Sequence, residues 1–577
     1  MKKTSPDGDI SFTWSLGPYE DFLERRLALL KRVRFGERLW SGDPTLWKRD
    51  TQHETIIRRA LGWLHLAEVM EKNLSILLDF TSEIRREGYR HVVHLGMGGS
   101  SLAPLVLREV VPKTKPGLPL EILDTTDPHG IGEVERRLPL PRTLFITASK
   151  SGTTVENIAL EQYFYTKLTK LKGPKAGENF VAITDSESPL EKRAQERSFR
   201  RTFRNVPNVG GRYSALSYVG LLPAALMGID LIGLLGRARQ MEQRCGPAVQ
   251  PEENPALILG AALGELCRQG RDKATFLMPP ELASFGLWLE QLIAESTGKE
   301  GKGILPIVDE PLGIPSSYNR DRFYVAISLR GKRSPIHTFL RRMEERAEPV
   351  LKIVMDDPFD LAQEFLRWEL AIATAGAILR INPFDQPNVQ ESKERTERLL
   401  DNFQATGRLP QPEPLLETKV LRFFGSKKLL RDGDPLHSFF EGIRPGSYIT
   451  MLAYLPETSE IVDRLQRFRK KLRDTFRVAT TLGFGPRYLH STGQYHKGGP
   501  NKGFFIQLAA EDEEDLSVPN RLYTFRLLWQ AQAWGDLGAL QKHRRRALRI
   551  DLGHDVTKGL DTLSRLMTEA KGSRLKA

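Results

Sequence analysis

The sequence predicts an α/β fold class with parallel sheets, and three observations carry the prediction. First, short apolar, β-branched runs alternate with helical stretches from residue 91 to 196, the pattern of strands joined by crossover helices. Second, the same alternation starts again at residue 274 and continues to 354. Third, loops rich in Gly, Ser and Thr follow the first and third strands of the first set, where open parallel sheets bind ligands.

In chain order, residues 1–88 read as an N-terminal helical segment, with apolar residues at three-and-four spacing over 19–33 and 55–78. Residues 89–240 hold the first strand set: His91–Met97, Leu120–Asp124, Leu144–Thr147 and Phe180–Thr184. Helix breakers around Cys245-Gly-Pro and Glu252-Glu-Asn-Pro255 mark a boundary. The second set, in 241–405, is Ala274–Met278, Ile304–Val308, Tyr324–Leu329 and Val350–Val354. A Pro-rich linker is expected over 406–417. Beyond it, 418–577 forms a further α/β or α+β domain, with strand-like runs at Tyr448–Tyr454, Phe504–Leu508 and Ala547–Asp551.

Net charge is +13, but the excess of 85 basic over 72 acidic residues is spread through acid-rich helices. Lys542-His-Arg-Arg-Arg546 is the densest basic run and lacks aromatic interleaving, so no nucleic-acid partner is expected. No apolar run is long enough to cross a bilayer, and no membrane association is expected. Two cysteines without metal-type spacing argue against a disulfide framework or a Cys-based zinc site, and a cytoplasmic location is the natural reading.

The chemistry-bearing stretch is Gln291-Leu-Ile-Ala-Glu295-Ser-Thr-Gly-Lys-Glu-Gly-Lys-Gly303. A helix carries Gln291 and Glu295 one turn apart on one face, and a polar, Gly-rich turn follows. Glu295 alone could be a solvated helix-end carboxylate; with a bound substrate it is a candidate general base. Gly96-Met-Gly98-Gly99-Ser100-Ser101 offers N–H groups and hydroxyls to an anion at a helix start, though it could also be a plain tight turn. Ser149-Lys150-Ser151-Gly152-Thr153-Thr154 concentrates hydroxyl and ammonium donors at the next helix start, and together the two loops favour a phosphorylated metabolite. Gly210-Gly-Arg212-Tyr-Ser adds a permanently charged cation suited to a developing oxyanion, with a structural salt bridge as the other possibility. Asn382-Pro-Phe-Asp-Gln386-Pro leads into a helix on which Gln386 and Lys393 share a face if the helix starts early enough, although a solvated charged face is the default for Lys393.

In this order, the five motifs resemble the glucose-6-phosphate isomerase family, whose members pair two flavodoxin-like sugar-isomerase (SIS) domains. The flanks at Leu39–Trp47 and His490–Pro500 resemble the isomerase half of bacterial proteins in which transaldolase is fused ahead of it; the roughly 90 residues before the first Gly loop are too few for that barrel. The resemblance implies aldose–ketose exchange between glucose 6-phosphate and fructose 6-phosphate through a cis-enediol(ate), with no cofactor and no metal. It implies that Ser100, Ser149, Ser151 and Thr154 hold the phosphate with Lys150 alongside, that Gly98 and Gly99 bind substrate, and that Gln291 and Gln386 line the site. Glu295 would move the proton, Arg212 would face the intermediate and Lys393 the ring oxygen. The family's ring-opening histidine has no clear counterpart: His337 lies in the right interval without the motif, His496 lies outside it in a polar Gly-rich segment and is favoured, and each could be structural. Relaxed specificity extending to mannose 6-phosphate, and a non-catalytic phosphosugar-binding protein, remain open alternatives. Family precedent implies a homodimer.

Overall fold

A computed structural model describes residues 3–4, 10–332, 334–430, 433–511 and 514–574. Its residues fall into two compact units: Met1–Asp124 with Val134–Asp309 and Arg322–Gln386, and Thr125–Glu133 with Glu310–Asp321 and Pro387–Ala577.

The first unit holds two sheets. The N-terminal segment is mostly helical, as expected, but it opens with β1 (Lys3–Thr4) and β2 (Ile10–Ser15). Strand β2 was not expected. Its Ile-Ser-Phe-Thr-Trp-Ser alternation is one strand long, and only a distant partner reveals it as a sheet edge. The first sheet consists of β3 (His91–Leu95), β4 (Leu120–Leu123), β5 (Thr143–Ala148), β6 (Phe180–Thr184) and β7 (Arg201–Arg204), all parallel, in the order β4-β3-β5-β6-β7. This 2-1-3-4-5 order is flavodoxin-like, with its switch point between β3 and β5. Helix α1 (Leu102–Val110) follows β3, and α2 (Val155–Lys172) follows β5. Strands β5 and β6 are buried at every position, which a parallel sheet covered on both faces requires.

The second sheet repeats that order. Strands β8 (Lys273–Leu277), β9 (Leu305–Ile307), β10 (Arg322–Leu329) and β11 (Val350–Met355) are parallel, and β2 joins β11 antiparallel, giving β1-β2-β11-β10-β8-β9. Between β8 and β9 lies α3 (Ala283–Thr297); after β11 comes α4 (Leu361–Leu379), which is buried almost all round. One apolar core joins the elements of this unit, with Trp63, Trp288 and Trp368 among its largest fully buried side chains.

The second unit begins at Pro387, so α5 (Val389–Thr406) belongs with it and not with the preceding sheet, as the expected boundary at 405 would have it. Next come β12 (Leu416–Glu417), which uses the end of the expected linker, then β13 (Arg422–Gly425), β14 (Tyr448–Tyr454), β15 (Ala479–Phe484), β16 (Gly503–Ala509), α6 (Phe525–Lys542) and β17 (Arg546–Asp551). The sheet order is β12-β13-β17-β16-β14-β15, and β14 to β17 are parallel. A third 2-1-3-4 sheet is therefore present, around its own core of Phe439, Ile449, Met451, Leu465 and Ile506. Loops leaving β4 and β9 are part of this unit: Thr126 donates to Gln532 Oε1 at 2.7 Å, and Glu310 accepts from the Thr480 N–H at 2.9 Å and hydroxyl at 2.7 Å. The basic run at 542–546 is engaged internally, with Lys542 and His543 on Glu391 and Arg545 on the Lys497 and Gly499 carbonyls. Among the described residues no helix is long and apolar enough to cross a membrane.

Candidate active site

The loops after β3 and β5 meet at the switch point of the first sheet. Gly98 has φ +54°, a left-handed conformation that favours glycine. A Cβ at Gly99 would lie 2.3 Å from the Gly211 carbonyl carbon, so only glycine lets the 96–101 loop touch the 210–214 segment. A small pocket results, lined by Ser100, Ser149, Lys150, Asn205, Gly211, Ser214 and Ser217 over a floor of Ile183, Val206, Val209 and Val219. Ser149 Oγ accepts from the Gly152 N–H at 3.1 Å and lies 3.3 Å from the Thr154 hydroxyl. Thr154 caps α2 without a side-chain bond to its first turn. Lys150 Nζ donates to the Val209 carbonyl at 2.9 Å, and Ser151 is exposed, its hydroxyl 2.8 Å from that of Thr153. Hydroxyls, an ammonium and a helix start converging on one pocket suit a phosphate. Asn205 and Ser217 were not singled out by sequence, because both lie outside the recognised motifs, whereas Ser214 closes the 210–214 motif. Beneath the loop, buried His94 donates from Nε2 to the Ser100 carbonyl at 2.6 Å; burial lowers its pKa to about 4, so it serves as a neutral prop.

The 210–214 segment links this pocket to the carboxylate. While Gly211 and Ser214 line the pocket, Arg212 turns inward and is 3% exposed. Its Nη1 lies 3.2 Å from Glu295 Oε2 and 2.9 Å from Gln386 Oε1; its Nε donates to Ser296 Oγ at 2.8 Å. From Nη2 it donates to the carbonyls of Pro383 at 2.7 Å and Asp385 at 3.0 Å. Glu295 is only 6% exposed, because α3 runs on to Thr297 before turning. The reading of Glu295 as a solvated helix end is therefore corrected. Gln291, one turn earlier on the same helix face, sits with Nε2 3.5 Å from Glu295 Oε2.

A second cation, missed by sequence, closes the arrangement. Lys299 is 2% exposed and donates to the Asn382 carbonyl at 2.7 Å, the Asp385 carbonyl at 2.6 Å and Asp385 Oδ1 at 2.7 Å. Burial, outweighing the attraction of Asp385, lowers its pKa to about 8. Arg212 and Lys299 together hold the carbonyls of the 382–385 turn, which fixes Gln386 against Arg212. Lys299 stood in the sequence motif, but its partners lie more than eighty residues away and only the fold brings them together. Burial also raises the pKa of Tyr213, whose hydroxyl is 3.2 Å from Ser296 Oγ, to about 12.

Two expectations change. Helix α5 starts at Val389, after Pro387, so Gln386 precedes it and shares no helical face with Lys393. Lys393 itself lies in the second unit. His496, also in the second unit, is 1% exposed, with ring centroids of Phe505 at 5.2 Å and Tyr488 at 6.1 Å, and neither ring nitrogen has a hydrogen-bond partner among the described residues. Burial, reinforced by Lys497 and Arg545, holds its pKa well below the usual histidine range. Held neutral, the ring keeps a single N–H, and no described residue accepts it. His337 is exposed and forms a capping box with Ser334 at the start of the helix Pro335–Glu345.

The family model described as phosphoglucose isomerase matches residues 81–305. A glucose-6-phosphate isomerase of Carboxydothermus hydrogenoformans is 28% identical over 398 residues, covering 59% of this chain and 85% of that protein. One of Rubrobacter xylanophilus is 28% identical over 391 residues, covering 59% of this chain and 89% of that protein. A crystal structure of a glucose-6-phosphate isomerase from Chlamydia trachomatis shares the fold, with a TM-score of 0.58 at 20% identity, covering 70% of this chain and 90% of that one.

Proposed function

We infer that this chain is a glucose-6-phosphate isomerase of the phosphoglucose isomerase family, interconverting glucose 6-phosphate and fructose 6-phosphate. The observation that carries the reading is the double duty of the 210–214 segment. Its outer residues line an anion pocket and its arginine meets a buried carboxylate. A substrate held by a phosphate at one end is thereby presented to a base and a fixed positive charge at the other.

The proposed roles follow from the chemistry. Gly98, Gly99, Ser100, Ser149, Lys150, Ser151 and Thr154 bind the phosphate through N–H, hydroxyl and ammonium donors. Glu295 removes the proton from C2 of the open-chain sugar and returns it to C1. Arg212 cannot lose its proton, so it stabilises the enediolate charge without competing as an acid. Gln291 and Gln386 flank Glu295 and Arg212 respectively and orient them toward the sugar hydroxyls. Lys393 is assigned to the ring oxygen on the family resemblance, with His496 kept ahead of His337 as the ring-opening histidine. A protein that only binds phosphosugars would need the loops but not a buried carboxylate–guanidinium pair, and this favours the enzyme. Action on mannose 6-phosphate, a homodimeric state and a cytoplasmic location are supported by the resemblance alone.

A coupled assay of fructose 6-phosphate to glucose 6-phosphate on wild type and Glu295→Gln tests the proposal. We expect the variant to keep phosphosugar binding and lose at least about a thousandfold in kcat, the scale of losing an essential base. Full activity in the variant refutes the assignment of the base. Absence of turnover in wild type refutes the enzyme.

A further inference from the structure

We propose that residues 488–498 and α6 form a cradle that sets the position of Lys393, making Gln494 and Asp536 positioning residues for the isomerase reaction. The inference rests on the role proposed above for Lys393 and assigns a purpose to the C-terminal unit.

Helix α5 is poorly anchored by apolar contacts: its buried residues are Ser392, Thr396 and Leu400. Polar contacts fix it instead. At its start the Asn388 N–H donates to Gln494 Oε1 at 2.9 Å, and Gln494 Nε2 donates to Asn388 Oδ1 at 2.8 Å. Asn388 makes no side-chain bond to its own helix, so its amide serves this contact and not the cap. Gln494 is completely buried. One turn on, Glu391 forms ion pairs with Lys542 at 2.9 Å and His543 at 2.6 Å. Ser392 Oγ lies 3.5 Å from Asp536 Oδ1, and Asp536, fully buried, holds Lys497 Nζ at 2.6 Å and the Tyr488 hydroxyl at 2.7 Å. A Cβ at Gly535 would stand 2.9 Å from Thr396 Oγ1, so α6 approaches α5 at a glycine.

Residues 388, 391, 392 and 396 are spaced to share one face of the helix, and Lys393, half-buried, flanks that face beside Thr396. Lys393 has no hydrogen bond or ion pair among the described residues. The first two turns are thus fixed in height and rotation, and the base of the lysine with them. Burying Lys497 and Asp536 costs desolvation that hydrophobic residues would avoid, which fits a network kept for placement and not for net stability.

The test compares Gln494→Ala and Asn388→Ala, each in wild type and in Lys393→Ala, by steady-state kinetics on fructose 6-phosphate and by thermal melting. We expect kcat to fall at least about tenfold for either single variant with KM changed less than about twofold, the signature of a displaced catalytic group. In the Lys393→Ala background the same substitutions should change kcat by less than about twofold, because the residue they position is already gone. Gln494→Glu keeps the acceptor for the Asn388 N–H but loses the donor to Asn388 Oδ1 and buries a carboxylate, so it should lose rate as the alanine variant does. Equal losses in both backgrounds, or full rate in both single variants, overturn the proposal. Full rate in Lys393→Ala removes the residue the cradle serves, whereas an inactive wild type would instead overturn the isomerase reading on which the proposal rests.

Discussion

Replacing Lys299 by Met removes a cation that no sugar atom needs to touch, so its effect isolates the value of the 382–386 turn. The methionine fills most of the lysine's volume but leaves the Asn382 carbonyl without its 2.7 Å donor and the Asp385 carboxylate without its counter-charge. An orphaned buried carbonyl costs about 1–3 kcal/mol. The carboxylate is partly accessible at 20% and recovers some solvation, so its loss is put at about 1 kcal/mol. The Asp385 carbonyl still accepts from Arg212 at 3.0 Å and adds little. A local cost of about 2–4 kcal/mol is enough to let the turn shift, and a displacement of about 1 Å at a catalytic group lowers turnover by about a hundredfold. None of the hydrogen bonds of Lys299 reaches a phosphate-pocket residue, so KM should stay within about threefold. The assay is steady-state isomerisation of fructose 6-phosphate, with near-ultraviolet circular dichroism as a check on folding. A folded Lys299→Met enzyme with more than half the wild-type kcat would refute the view that this lysine holds the turn in register.

The same lysine makes a prediction about pH. With its pKa lowered to about 8, the folded protein sheds this proton before the unfolded chain does, so from about pH 8 to 10.5 the group adds stability as pH rises, about 3 kcal/mol in all. Activity moves the opposite way: loss of the charge should give kcat an alkaline limb near pH 8 that is absent in Lys299→Met, and a limb that persists in the variant would assign it elsewhere. Gly99→Ala forces a methyl group to 2.3 Å from the Gly211 carbonyl carbon and must part the pocket from Arg212; we expect a stability loss of about 1–3 kcal/mol and a rise in KM, measured by denaturation and kinetics. Ser149→Ala should raise KM about tenfold with little change in kcat, and weaken competitive inhibition by inorganic phosphate equally, if its hydroxyl binds the phosphate.

The parts of this architecture that sequence revealed are those whose physics is local. Apolar runs such as Phe180–Thr184 announce a parallel strand because both faces are buried, and a Gly-hydroxyl loop after a strand announces an anion site because its donors are consecutive. Short or charged edges such as Arg201–Arg204 left no such mark, and Ile10–Ser15 pairs with a strand more than three hundred residues away. Lys299 belonged to a legible motif, yet its work depends on carbonyls of a distant turn. His496 differs: glycines and polar neighbours marked its segment as polar, whereas its ring is 1% exposed beside Tyr488 and Phe505. Local composition conveys polarity but not which polar groups the fold will seal from water.

The pairing of β2 with β11 has a consequence for biosynthesis. Ser15 aligns with Val350, so the N-terminal strand waits for a partner 335 residues downstream. At about 5–20 residues per second, a ribosome needs roughly 17–70 s to make that stretch. Throughout that time Phe12 and Trp14, both buried in the finished protein, have no sheet to enter. The nascent chain therefore carries an exposed aromatic strand through that interval, a natural foothold for a chaperone. An expression variant trimmed past residue 15 would fold without this delay but would leave the outer edge of β11 open to pairing with other molecules.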